Sequence, residues 1–318
     1  MVVYDYAYRE VKKRYLIPIT SYNINFASLK NNNIKTILTR FRSVEKTDTS
    51  FLFYFDDDIL LKGLLGDIEL FFIRALLQKN DALVCNSLDL SANWNIVTYY
   101  YYSFFYASLF LRFCFRGNIF LEDKLRKNID SLIQTVIGED SISLDSNMFY
   151  SVEMKNGEYV LRLSKSDSNT HEIVWKKLND LLMEIKDYSH KNTDENTILN
   201  NIININSKIG VTYPSKLRNR VNYQPIYGIE SINRNIHNVS QIENWGQYFL
   251  MPSKGLTADG CIDAHSNAMY SYTMYIDAFC NNLMCEYYEI QGKENGILKN
   301  INKNREKKIV LPELRMTF

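Results

Sequence analysis

The chain has 318 residues, and 37 lysines and arginines against 36 aspartates and glutamates leave a formal net charge of +1. This near-neutrality argues against a generally basic nucleic-acid coat protein and against an acidic, solvating chain. A hydrophobic fraction of 46% argues against a disordered chain. Aromatic residues make up 14%, while glycine (12) and proline (5) are scarce, so we expect few turns and long elements.

The first 90 residues predict helices. Apolar residues recur at helical spacing in 34–41, where a helix is plausible. Those in 59–76 follow a period near 3.6 and predict one long helix, capped by Asp56 or Asp57. Adjacent aspartates after an apolar run also occur in two-metal sites. The helix that follows them favours the helix-cap interpretation over a metal site.

Two further helices follow. Ser91 can cap an aromatic helix over 92–115 that ends at Gly117. A charged helix over 122–137 ends at Gly138. Residues 90–111 carry no charge and are long enough for a membrane span, but four consecutive tyrosines lie near the middle. We therefore predict a buried core helix here and no membrane partner.

In residues 148–163 apolar and polar residues alternate on both sides of Asn156-Gly157. This dipeptide suits a type I′ turn. The sequence predicts a β-hairpin inserted between helices. Helical spacing resumes over 173–185. The polar, asparagine-rich stretch 189–206 predicts a weak helix or a loop.

The C-terminal part predicts a helix beyond Pro214 that carries 217–223, and a last long helix over 264–289. A loop is expected at 252–262, and the tail 293–308 is basic and polar. The predicted fold class is mainly α, a helical bundle around the helix 92–116 with an inserted β-hairpin near 148–163. We treat 1–318 as a single helical unit, with a possible subdivision into 1–188 and 207–318.

The cysteines do not predict a disulfide framework or a metal site. They are five, an odd number, and widely scattered. Cys280 and Cys285 are about 140° apart on a helix and do not face one point, which favours buried thiols. Because the first 14 residues also have no apolar signal region, we expect a cytoplasmic protein. No cofactor is expected.

One segment has a local charge imbalance. Residues 214–236 carry four cationic side chains against Glu230 alone: Lys216, Arg218, Arg220 and Arg234. Arginines bind phosphates through forked hydrogen bonds. A nearby base such as histidine or tyrosine could deprotonate a ribose 2′-hydroxyl. The alternative is a solvated helix-loop-helix whose arginines pair with surface carboxylates.

The aromatic segment 95–113 and the later segment 217–223 together resemble the HEPN superfamily, an all-helical group of prokaryotic toxin, abortive-infection and CRISPR-linked ribonucleases. One helix of that family carries a Tyr-x-x-Phe-x-x-Ala pattern. Tyr102, Phe105 and Ala107 or Ser108 match it approximately. The resemblance covers 92–116 and 172–240.

A later helix of the family carries Arg-(Asn/Asp/His)-x(3–5)-His. Arg218-Asn219 fits the start of this motif, and Tyr223 stands where the histidine would fall. The resemblance implies that Arg218 holds the scissile phosphate and Asn219 orients the site, while Tyr223 or His237 handles protons. Family sites are often completed across a two-fold dimer, so a homodimer is possible.

Two functional hypotheses follow. The first is a HEPN-like, metal-independent protein that cleaves or binds RNA in a bacterial defence or toxin system. The second is a non-catalytic protein-binding subunit or scaffold of a multi-protein defence complex. In the second case the chain is a degenerate, non-catalytic member of the family, in which Tyr223 has replaced the motif histidine.

Overall fold

The structure is a computed structural model that describes 5–24, 28–87, 92–138, 142–166, 169–223 and 262–292. Its helices are α1 (Tyr6–Val11), α2 (Ile17–Ile19), α3 (Ile34–Ile37), α4 (Asp57–Ser87), α5 (Ala92–Phe113), α6 (Asp123–Ile137), α7 (Thr170–Lys186), α8 (Asp194–Ile209), α9 (Tyr213–Tyr223) and α10 (Ile262–Ile290). A π-helical turn, Lys12–Leu16, joins α1 to α2. The prediction of a mainly helical protein is confirmed. The expected loop at 252–262 and tail at 293–308 lie outside the described residues.

A five-stranded antiparallel sheet accompanies the helices. Its strands are β1 (Ser43–Lys46), β2 (Ser50–Tyr54), β3 (Arg116–Phe120), β4 (Asn147–Lys155) and β5 (Glu158–Lys165), in the order β1-β2-β5-β4-β3. β4 and β5 pair around Asn156-Gly157, whose φ angles are +53° and +85°. The hairpin is not an isolated insertion, because β2 pairs with β5 and β3 with β4. The sequence did not predict β1, β2 or β3.

The aromatic helix α5 lies at the centre of the described helices. It packs against α4, α7, α9 and α10. Tyr100 and Tyr106 are completely buried, and the Tyr99 ring contacts Tyr270 of α10 at a centroid distance of 4.6 Å. The helix ends at Phe113, because Phe115 has a φ of +57° and Arg116 begins β3. The predicted end at Gly117 is therefore wrong.

The structure has no helix, within its described ranges, that combines the length and apolarity needed to cross a membrane.

The helix α6 ends at Gly138, as predicted. Gly138 has a φ of +79° and donates its N–H to the Gln134 carbonyl. Cys85, Cys114, Cys280 and Cys285 are free thiols.

A buried ion pair connects α4, α5 and the sheet. Arg112 Nε lies 3.2 Å from Oδ2 of Asp67, and both side chains are less than 10% exposed. The Tyr150 hydroxyl donates to the same oxygen at 3.1 Å. Arg112 also donates to the carbonyls of Ser108 and Asn118. Both charges are therefore compensated inside the core, which a buried pair requires.

The stretch predicted as a weak helix or loop, 189–206, contains most of α8, so the loop alternative is wrong. The Thr193 hydroxyl accepts from the Asn196 N–H and caps the helix. One face is buried through Ile198, Leu199, Ile202, Ile205 and Ile209. The intervening asparagines concealed this apolar period.

Glu195 of α8 connects this helix to α1 through hydrogen bonds. The side chain is 1% exposed, and its carboxylate accepts hydrogen bonds from the backbone N–H groups of Asp5, Ala7 and Tyr8. These N–H groups lie at the start of α1, where the first turn of a helix presents N–H donors that a side chain can satisfy. An acidic residue in a stretch predicted as a weak helix or a loop thus connects α8 to the N-terminal helix.

Gly66 of α4 provides a test of the close packing between α4 and the segment before α3. A Cβ atom at Gly66 would lie 1.5 Å from the backbone oxygen of Asn32. We expect Gly66→Ala to lower the free energy of unfolding by about 2–3 kcal/mol, because backbone must shift to relieve the clash. Urea denaturation measures this change.

Gly63→Ala is the matched control. Its Cβ would meet the Cδ1 atom of Ile37, the end of a flexible side chain, at 2.5 Å. We expect a smaller loss, about 1 kcal/mol or less, because alanine also favours the helix. Equal stability of the wild type and Gly66→Ala would contradict the described packing.

Candidate functional site

Arg218 is half-buried on α9, in contact with the central helix. Its guanidinium carbon lies 5.3 Å from the centroid of the Tyr100 ring. Nε of Arg218 is buried and has no hydrogen-bond partner among the described residues. A guanidinium with a donor that the protein leaves unpaired can use this donor to bind an anion.

Three side chains from three helices meet beside Arg218. The Tyr100 hydroxyl of α5 lies 2.7 Å from Nδ1 of His171 and 3.2 Å from Oγ of Ser215. His171 lies in the first turn of α7, and Ser215 in the first turn of α9. We call Tyr100, His171, Ser215 and Arg218 the tyrosine–histidine cluster.

Aromatic rings hold His171 in place. Its ring lies 4.7 Å from that of Phe104, 5.7 Å from that of Tyr100 and 6.3 Å from that of Tyr101, between centroids. Burial, aided by the charge of Arg218, lowers the pKa of His171 below its ordinary value. The imidazole is therefore mainly neutral at pH 7.

Tyr100 remains protonated at neutral pH. Burial raises the pKa of Tyr100, and this effect exceeds the opposing effects of Ser215, Trp175 and Arg218. The hydroxyl is thus a hydrogen-bonding link between His171 and Ser215, both of which lie within reach. Such a link fixes the ring orientation of a histidine.

The other predicted site residues are placed differently. Asn219 is exposed, and Tyr223 is 73% exposed at the end of α9. Tyr223 lies five residues from Arg218, about 140° around the helix, so the two side chains leave α9 in different directions. His237 lies outside the described residues. Of these four residues, Arg218 is the one that the structure places in the cluster.

Sequence reasoning missed His171, Tyr100 and Ser215 as members of a site. The local signal was weak: Asn169 caps α7 through the Glu172 N–H, which places His171 in the first turn. Nothing local pairs that turn with α5 or α9, since 71 residues separate Tyr100 from His171. Their meeting depends on how the three helices pack.

The cluster combines a cation, a neutral imidazole and two hydroxyls. Such a set can bind a phosphate group and take up a proton without a metal ion. In the ranges that the structure describes, no three histidine, cysteine, aspartate or glutamate side chains converge as a metal site requires. A scan against protein-family models and searches of curated proteins and of solved structures found no match to this chain.

Proposed function

We propose that this chain is a HEPN-like protein of a bacterial defence or toxin system that binds RNA and cleaves it without a metal ion in the cytoplasm. The observation that carries the proposal is the convergence of Arg218 with His171. The Arg-Asn pair of α9 resembles the start of the family motif, and α7 supplies a histidine from elsewhere in the chain. His171 takes the role that the sequence assigned to Tyr223 or His237.

Arg218 binds the scissile phosphodiester in this proposal. Its guanidinium supplies planar, charge-assisted hydrogen bonds to the phosphate oxygens. It also stabilises the negative charge that grows on those oxygens as the 2′-oxygen attacks phosphorus. The Tyr100 ring beneath the guanidinium keeps this cation in position.

His171 acts as the general base. For this role we assign the tautomer in which Nδ1 of His171 donates to the Tyr100 hydroxyl and that hydroxyl donates to Ser215. Nε2 then accepts the proton of the ribose 2′-hydroxyl. The 2′-oxygen forms a bond to phosphorus, and the bond to the 5′-oxygen breaks. The 5′-oxygen takes a proton from water, and the remaining hydroxide takes the proton held by His171. The products are a 2′,3′-cyclic phosphate and a 5′-hydroxyl, with the imidazole neutral again.

The first test compares Arg218→Ala with the wild type. Labelled tRNA and mRNA are incubated with each protein in EDTA, and cleavage and binding are measured. We expect cleavage by the wild type and a loss of at least about tenfold in the variant, because a charge-assisted contact to the phosphate is removed. Arg220→Ala, on the same helix, is the control and should retain activity within about threefold.

Equal activity of Arg218→Ala and the wild type would refute the proposed role of this side chain. If the wild type neither binds nor cleaves RNA and a fixed protein co-purifies with it, the scaffold hypothesis replaces the nuclease. Size-exclusion chromatography of the same samples tests the possible homodimer.

A further inference from the structure

A groove of about 590 Å³ opens beside the sheet, away from the tyrosine–histidine cluster. It lies between the β1–β2 turn, the ends of β4 and β5, and α7. The side chains of Phe149 and Ile173, each 7% exposed, contribute an apolar lining. Ile173 is about 200° around α7 from His171, so the groove and the cluster occupy opposite sides of this helix. The volume is typical of small-molecule sites.

Charged side chains line the same groove. Lys46, Lys165 and Lys177 come from three different elements, and Asp48 and Asp145 accompany them. Asp145 already pairs with Lys165 at 3.3 Å. Because three lysines and two aspartates line the groove, the lining has a net positive charge beside its apolar part.

Of the three lysines, Lys177 is the one whose contacts best suit it to bind an anion. Its Nζ lies 5.3 Å from the centroid of the Phe149 ring, directly at the apolar lining. The carboxylate of Asp180 is 3.9 Å away, and both side chains are at least 40% exposed. Such an exposed pair contributes little, so Lys177 can exchange it for an anionic ligand.

We infer that this groove binds a small amphiphilic anion, a molecule with one acidic group on an apolar body. The apolar body contacts Phe149 and Ile173, and the acidic group pairs with Lys177. A cationic ligand is disfavoured by the three lysines. An uncharged apolar ligand gains no ion pair with Lys177.

The test uses 8-anilinonaphthalene-1-sulfonate as a fluorescent probe with the full chain. We expect saturable binding to the wild type and a three- to fivefold weaker Kd in Lys177→Gln, roughly the effect of one partly exposed ion pair. Raising NaCl from about 50 to about 500 mM should weaken binding to the wild type more than to the variant. Lys176→Gln, one residue away and exposed, is the matched control and should bind as the wild type does.

Displacement of the probe tests the acidic group separately. Dodecanoate should displace it at concentrations about three- to fivefold lower than dodecanol, because only the carboxylate can pair with the lysine. Near-UV circular dichroism shows whether each variant remains folded. Absence of saturable binding, equal binding by Lys177→Gln, or equal displacement by dodecanol would each overturn the inference.

Discussion

His171→Ala is expected to lower the rate of RNA cleavage by about 10²- to 10⁴-fold, the usual contribution of a general base. The Michaelis constant should change less, because Arg218, which contacts the phosphate in the proposed complex, is retained. Single-turnover cleavage of a labelled RNA in EDTA measures the effect. The loss should be larger than that in any variant of exposed Asn219.

His190→Ala is the matched control for this histidine. His190 lies beyond the other end of α7, and its ring contacts that of Tyr6 at a tilt of 48°, with 3.9 Å between ring centroids. We expect its cleavage rate to remain within about threefold of the wild type, since it does not contact the cluster. Similar losses in both variants would indicate a structural effect and count against His171 as the base.

The pH dependence of the cleavage rate provides a second test of His171 as the general base. Because the neutral imidazole is the active form, the rate should rise as pH increases through the pKa of His171. Burial and the charge of Arg218 lower this pKa, so the midpoint should lie below about 6.5, the ordinary value of a histidine. In Arg218→Ala, an NMR titration of His171 should show the midpoint shifted upward. An unshifted or lower midpoint would contradict the electrostatic coupling.

Asp67→Ala is expected to lower the free energy of unfolding by about 3–5 kcal/mol. The variant leaves the Arg112 charge in the core, where 3% of its side chain is exposed. It also removes the acceptor of the Tyr150 hydroxyl and that of the Ile34 N–H. Equilibrium urea denaturation, followed by circular dichroism and fluorescence, measures the loss.

An exposed pair provides the control. Asp58 lies 2.6 Å from Lys62 on the surface of α4, and Asp58→Ala should cost less than about 1 kcal/mol. The double variant Asp67→Leu with Arg112→Met should recover much of the loss, because no unpaired charge remains. If the double variant is as unstable as Asp67→Ala, the cost arises from lost packing and polar contacts to Tyr150, Ser108 and Asn118.

The sequence predicted the long elements because their apolar patterns are strong and local. The start of α4 after Asp56, the stop of α6 at Gly138 and the turn at Asn156-Gly157 each depend on a few neighbouring residues. The short strands were missed because they acquire their hydrogen-bond partners from distant segments. β2, for example, pairs with β5 more than 100 residues later.

By itself, the sequence determined that the chain is mainly helical and that an aromatic helix, without charge over 92–111, is buried at its centre. It also singled out Arg218 as a candidate anion-binding residue. Only the tertiary structure decided which groups accompany Arg218, because Tyr100, His171 and Ser215 belong to three helices and no local pattern relates them. Helical periodicity depends on contacts within a few residues, whereas a site depends on packing between elements, and that packing brings His171 to Tyr100.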